Sequence, residues 1–327
     1  MIFLQILILA AGFAALIKGA DLFVDGSAGL AKNFRVPAMI IGLTIVAMGT
    51  SAPELAVSTV AALEGSNEIA VSNVIGSNIF NLLMVLGVCA IVRPVPVNRN
   101  ILKQDFPVAF VPTVAFFLLT GGLTLFSGKL FSTGMGEVVG TVTRPLALAF
   151  LAVFAAYLFF LTRQAKKNRT QEEENEGETI PTRKCVLLIL VGAALIIAGG
   201  QAVVYSAREI ARALGMTETL IALTVVSVGT SLPELVTSLV AARKQETDLA
   251  VGNAVGSNIF NLMMILGVSA AIHPVTVNAA SVWDLLILMA VTVMTWLFAL
   301  SGKKITRTEG ILMALSYAAI VTFAIVR

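Results

Sequence analysis

Gly49-Thr50-Ser51-Ala52-Pro53-Glu54 lies inside a long apolar run, and it returns 180 residues later as Gly229-Thr230-Ser231-Leu232-Pro233-Glu234. Each copy sets a carboxylate directly after a proline and beside two hydroxyls. A carboxylate at membrane depth is costly, so it marks an ion, proton or substrate path. Two of them, at matching places, predict one central cation site built from both halves of the chain.

The surroundings of the two copies decide the fold class. The 327 residues are 57% hydrophobic and only 13% charged, with a mean hydropathy of +0.93. A soluble domain carries about 25% charged residues. Apolar runs recur from end to end, which predicts an all-α polytopic membrane protein of ten spans. Those spans fall at roughly 2–28, 38–63, 68–92, 105–126, 145–162, 184–207, 218–242, 248–272, 282–300 and 308–326. Met1–Ile17 lacks a basic n-region, so it is expected to stay as the first helix. Cys89 and Cys185 are two distant thiols and make no disulfide framework. The net charge of +3 carries no nucleic-acid implication in such a chain.

What matters is where the basic residues sit. With ten spans, one set of loops carries sixteen Lys and Arg, among them Lys32, Arg93, Lys166, Arg183, Lys244 and Arg307. The opposite side carries five: Lys129, Arg144, Arg208, Arg212 and Arg327. The positive-inside rule therefore predicts a cytoplasmic central loop and both termini outside. That loop, 163–183, holds Lys166-Lys167-Asn168-Arg169 and then Glu172-Glu173-Glu174 and Glu176, the pattern of a solvated linker.

Residue n matches residue n+180 without a gap from about Ile40 to Asn98. Ala70–Asn81 pairs with Ala250–Asn261 in this way. The predicted organisation is a first five-helix repeat over 1–162, the linker 163–183, and a second five-helix repeat over 184–327. The matched cores lie at about 40–98 and 220–278. Five spans per half make the second copy run opposite to the first. That inverted topology is the one many transporters use around a midplane site.

Local chemistry fills in the site. Pro53 lacks an N–H and clashes with the carbonyl of Gly49, so the second span should break between them, and Gly49 should make the kink cheaper. Broken helices are tolerated at membrane depth only where protein or water surrounds them. Freed carbonyls, the hydroxyls of Thr50 and Ser51 and the carboxylate of Glu54 then form an all-oxygen cluster, which Thr230, Ser231 and Glu234 repeat. Asn73, Ser77 and Asn81 fall on one helix stripe, matched by Asn253, Ser257 and Asn261. Gly76 and Gly256 should let the broken helices approach these stripes. Asn78 and Asn258 beside them read as ligands or as interhelical glue.

Hard oxygen donors suit calcium, sodium, magnesium or manganese. No cofactor is expected; the cations are the cargo. Two carboxylates balance one calcium, two sodium ions or two protons. Unpaired and dehydrated, they are stable only when cations or protons fill the site. A protein that changes face when loaded and resists doing so when empty is an antiporter. The expected partners are the transported ions and the lipid bilayer, with no nucleic acid and a single chain as the working unit.

At these residues the sequence resembles the sodium/calcium exchanger family, on its prokaryotic branch. That family's paired motifs, G-T-S-x-P-E followed by G-N-x-x-G-S-N, match Gly49–Glu54 with Ser72–Asn78 and Gly229–Glu234 with Gly252–Asn258. Ser72 stands where the motif has glycine. The resemblance implies that Glu54 and Glu234 are central ligands shared by calcium and sodium. It also implies that Thr50 and Thr230 contribute backbone carbonyls, with Ser51, Ser77, Ser231 and Ser257 completing sodium sites. Met1–Ala28 and Lys184–Ala207 match the family's long, tilted gating helices. Potassium-dependent members carry an aspartate where this chain has Asn261; with Asn81 also neutral, the resemblance implies potassium-independent exchange of sodium for calcium. Proton-coupled relatives use a second motif with an added glutamate, absent here.

Two other features are weighed against this reading. Asp21 and Asp25 lie a turn apart near Lys18, where the second half has Gln201 and Tyr205, and read as a local ion pair. An intramembrane enzyme built on paired acids is the competing class. It would need two aspartates and a catalytic water, where this chain has two glutamates after prolines.

Overall fold

The computed structural model describes residues 2–65, 67–126, 128–168, 180–216 and 227–326. Helix α1 spans Ile2–Phe34, followed by α2 (Ala38–Thr50) and α3 (Ala52–Leu63). Next come α4 (67–92), strand β1 (Val95–Pro96), α5 (Ile101–Phe126), β2 (Val138–Val142) and α6 (Arg144–Asn168). The second half holds α7 (Thr182–Ala213), α8 (Ser227–Thr230), α9 (Leu232–Arg243) and α10 (Thr247–Ile272). It closes with β3 (Val275–Asn278), α11 (Ala279–Gly302), β4 (Lys304–Ile305) and α12 (Arg307–Val326). Among the described residues seven helices are long and apolar enough to cross a membrane, and the bent pair α2–α3 makes an eighth.

Several boundaries differ from the sequence reading. The fifth span runs on to Asn168, so the start of the expected linker is helical; Arg163–Asn168 holds no Gly or Pro to stop it. Residues 169–179 of that linker, and 218–226 of the seventh expected span, fall outside the described residues. The Gly-rich connection after α5 contains β2, a strand that apolar run length alone did not reveal.

Two short antiparallel ribbons tie distant connections together. Val95 pairs with Ile305, and Val97 donates from its amide to the Lys303 carbonyl at 2.8 Å. At the other ends of α5 and α11, Gly140–Val142 pair with Val277–Val275. Between the ribbons α5 and α11 pack together: the Phe106 and Trp296 rings stack at 6.1 Å, and Trp296 Nε1 donates to the Leu102 carbonyl at 3.0 Å. Each of these helices is about 36–39 Å long at 1.5 Å per residue, enough to cross hydrocarbon about 30 Å thick.

The buried core lies along α4 and α10, whose apolar windows are 78% buried, against 17% for α1 and 28% for α7. The latter two form a separate antiparallel pair at the edge. Their contact is backbone on backbone: a Cβ on Gly19 would stand 2.8 Å from the Gly192 carbonyl oxygen, and one on Gly192 would stand 2.7 Å from that of Gly19. Asn33 Nδ2 donates to the Ile180 carbonyl at 2.7 Å, fastening the end of α1 to the start of α7.

Candidate functional site

The expected helix break is present in both halves. Ser51 (φ −84°, ψ 11°) separates α2 from α3, and the two axes differ by 49°. Ser231 (φ −94°, ψ 6°) does the same between α8 and α9. Pro53 and Pro233 sit in the first turn beyond the break, where the missing N–H costs nothing. Glu54 and Glu234 fall in that same first turn, so each carboxylate lies at the positive end of a helix dipole.

Gly49 does not act as expected. Its backbone is helical, and a Cβ there would stand 2.7 Å from Phe23 Cζ. The counterpart Gly229 would collide with the Val204 side chain. The two glycines clear room for the α1–α7 pair, and the backbone leaves the helical path at Ser51 and Ser231 rather than at the glycines.

Glu54, Glu234, Thr50, Ser51, Thr230, Ser231, Ser77, Ser257, Asn81, Asn253 and Asn261 are all buried together. Ser51 Oγ donates to Glu234 Oε1 at 2.7 Å, and Ser231 Oγ donates to Glu54 Oε1 at 3.1 Å. Each half therefore holds the carboxylate of the other. Ser231 Oγ also stands 3.0 Å from Ser77 Oγ. The Thr50 hydroxyl lies 2.9 Å from Asn253 Oδ1 and 3.1 Å from the Val46 carbonyl.

Asn73 and Asn253 stand one step behind the carboxylates. Asn73 Nδ2 donates to Ser58 Oγ at 2.9 Å and to the Glu54 carbonyl at 3.4 Å. Asn253 Nδ2 repeats this on Ser238 Oγ at 2.9 Å and the Glu234 carbonyl at 3.3 Å. Their amide groups brace the helices that carry the acids. Ser58 and Ser238 complete these braces; sequence reasoning missed both, though their matched positions were a usable signal. Asn78 and Asn258 cross between the halves, each donating to the carbonyl of the other at 3.2 and 3.1 Å. Asn261 Nδ2 donates to Asn78 Oδ1 at 3.1 Å.

Below these residues α4 and α10 each contain a π turn, Asn81–Val85 and Asn261–Ile265. Further π turns lie in α2 (Gly42–Val46) and in α5 (Ile101–Asp105 and Leu118–Gly122). Gly256 meets its expectation: a Cβ there would stand 2.7 Å from Leu43 Cα. Around Gly76 nothing described lies within 4 Å, and its matching neighbour segment falls within 217–226.

The polar ledger does not close within the protein. Glu54 Oε2, Glu234 Oε2, both terminal atoms of Asn81, Ser257 Oγ, Asn258 Oδ1 and Asn261 Oδ1 are buried with no hydrogen-bond partner among the described residues. Buried polar atoms are almost always satisfied, so a cluster of orphaned oxygens signals a missing charge partner. Among the described residues no three His, Cys, Asp or Glu converge. The donor set is two carboxylates with neutral oxygens around them, which suits a hard cation carried as cargo.

A model of the family described as sodium/calcium exchanger protein matches residues 4–163 and 184–326. The chain belongs to the sodium/calcium exchanger family. The sodium/calcium exchanger MaX1 of Methanosarcina acetivorans is 30% identical to it, covering 98% of both chains. Inner membrane protein YrbG of Escherichia coli is 35% identical over 82% of this exchanger and 79% of its own length. A solved structure of the sodium-calcium exchanger NCX_Mj, soaked with sodium and calcium, superimposes with a TM-score of 0.81 at 29% identity over both full chains. The exchanger is thus a multi-pass membrane transporter of the cation antiport class, and the acid-dyad enzyme reading falls away.

Proposed function

We propose that the exchanger moves calcium out of the cell against inward sodium, by alternating access around Glu54 and Glu234 and without potassium. The observation that carries this is the set of orphaned oxygens on Glu54, Glu234, Asn81, Ser257 and Asn261. Calcium takes six to eight oxygen ligands, and this set with Thr50, Ser51, Ser77, Thr230 and Ser231 offers more than enough oxygens to choose from. Two carboxylates neutralise one calcium or two sodium ions. A third sodium makes the cycle electrogenic, worth about 2.3 kcal/mol per charge per 100 mV. The neutral Asn81 and Asn261 leave no third acid for a potassium ion.

The supporting architecture is ten crossings in two inverted repeats of five, with both termini outside and 163–183 in the cytoplasm. The two ribbons agree with it: each joins connections that this arrangement puts on one face. The reciprocal contacts Ser51–Glu234 and Ser231–Glu54 agree with the repeat. A single chain contains the whole set, so a monomer suffices for exchange.

Calcium uptake into proteoliposomes with imposed sodium, potassium or proton gradients tests the assignment. An outward sodium gradient should drive uptake, and external potassium should leave its rate unchanged. Equal uptake on a proton gradient would make the protein a calcium/proton antiporter instead.

A further inference from the structure

Lys244 caps the end of α9 and reaches across to α1, where its Nζ lies 2.5 Å from Asp21 Oδ1 and 2.6 Å from Asp25 Oδ1. It also donates to the Asp21 carbonyl at 3.3 Å. Lys18 adds a weaker contact to Asp21 at 3.3 Å. The local pair expected with Lys18 is present, and Lys244 adds a long-range partner to both aspartates. It joins the edge pair α1–α7 to the helix that carries Glu234.

The repeat shows what is special about this joint. Subtracting or adding 180 maps Lys244 to Glu64, Asp21 to Gln201 and Asp25 to Tyr205. The counterpart trio holds one acid and two neutral groups, so it contains no ion pair within itself. The two flanks also differ in cover. On the Glu64 side Val57 and Val60 are 37% and 50% exposed, and Tyr205 is 55% exposed. On the Lys244 side Thr237, the match of Val57, is 1% exposed. The α1–α7 pair is thus drawn over the Lys244 flank and away from the Glu64 flank.

We infer that the Lys244–Asp21–Asp25 cluster is a one-sided latch that biases the exchanger toward the conformer closed on the Lys244 face. It rests on the alternating-access reading above. For the opposite face to close, α1 and α7 must shift relative to α9. Lys244 then loses both aspartates, and the residues at the positions matching them on α7 are the uncharged Gln201 and Tyr205. Since α1 and α7 touch through backbone at Gly19 and Gly192, one ion pair on α1 acts on both helices.

Single cysteines at Val57 and Thr237, in a Cys89→Ser/Cys185→Ser background, report each flank through labelling by a membrane-impermeant maleimide. With the latch intact, Val57→Cys should label readily and Thr237→Cys hardly at all. Lys244→Gln should raise labelling at Thr237→Cys about fivefold and lower it at Val57→Cys, the shift that a partly exposed ion pair provides. The Asp21→Asn/Asp25→Asn double should do the same. The charge swap Asp25→Lys/Lys244→Asp should return both rates toward the starting values, which separates a latch from a general loosening. Unchanged labelling at both sites in Lys244→Gln and in the double aspartate variant overturns the inference. So does a rise at both flanks together. Labelling needs no ion gradient, so failure of sodium-driven calcium uptake would remove the ion assignment and leave this result standing.

Discussion

Ser51 and Ser231 hold the acids of opposite halves, so neither carboxylate is positioned by its own repeat alone. Hydrogen bonds to charged groups contribute about 1.5–3 kcal/mol. Ser51→Ala should slow calcium exchange about tenfold or more, and Ser51→Thr should retain most of the rate in the same uptake assay. Glu54→Gln removes one of two formal charges. It should abolish exchange while the protein still elutes as a folded species on size exclusion. Calcium at about 100 times its Kd should stabilise the wild type by about 2.7 kcal/mol, and thermal unfolding of Glu54→Gln should show no such calcium dependence. The acids and hydroxyls were legible from residue type and spacing. The direction of each hydrogen bond was not, because it depends on how two segments 180 residues apart meet.

At the scale of elements, the break at Ser51 followed from Pro53, since a missing N–H and a ring clash act locally. The use of Gly49 did not, because the collision it avoids is with Phe23 on a distant helix. The π turns at Asn81 and Asn261 also leave no mark in apolar periodicity. Nor do the braces to Ser58 and Ser238. Long-range packing decides these features, and one sequence without partners in space does not display it. The α1–α7 contact gives a sharp contrast. Gly19→Val puts atoms against the Gly192 carbonyl, the Ile196 amide and Leu195 Cβ, none of which can rotate away, so it should destabilise the protein by about 1–3 kcal/mol, an overpacking cost. Gly200→Ala meets Pro233 Cγ at an ordinary 3.6 Å and should be neutral. Thermal unfolding of the two variants side by side measures the difference.

The whole molecule brings loop sidedness and charge movement into one account. Cysteines placed at Gly134 and at Lys304 lie beyond opposite ends of the α5–α11 pair. They should label from opposite faces of sealed vesicles, and labelling from one face would refute the ten-crossing arrangement. Biasing the vesicle potential with a potassium diffusion gradient should change the sodium-driven calcium rate if three sodium ions move per calcium. The helical membrane class was readable from hydropathy. The ribbons were not, as each strand is short and its partner lies far along the chain. Yet the ribbons divide the molecule into unequal mechanical parts. Each one staples two connections, so α5 and α11 are pinned at both ends into a single frame. No ribbon among the described residues reaches α1 or α7. If access alternates as proposed, that frame is the fixed bearing against which the unstapled α1–α7 pair slides.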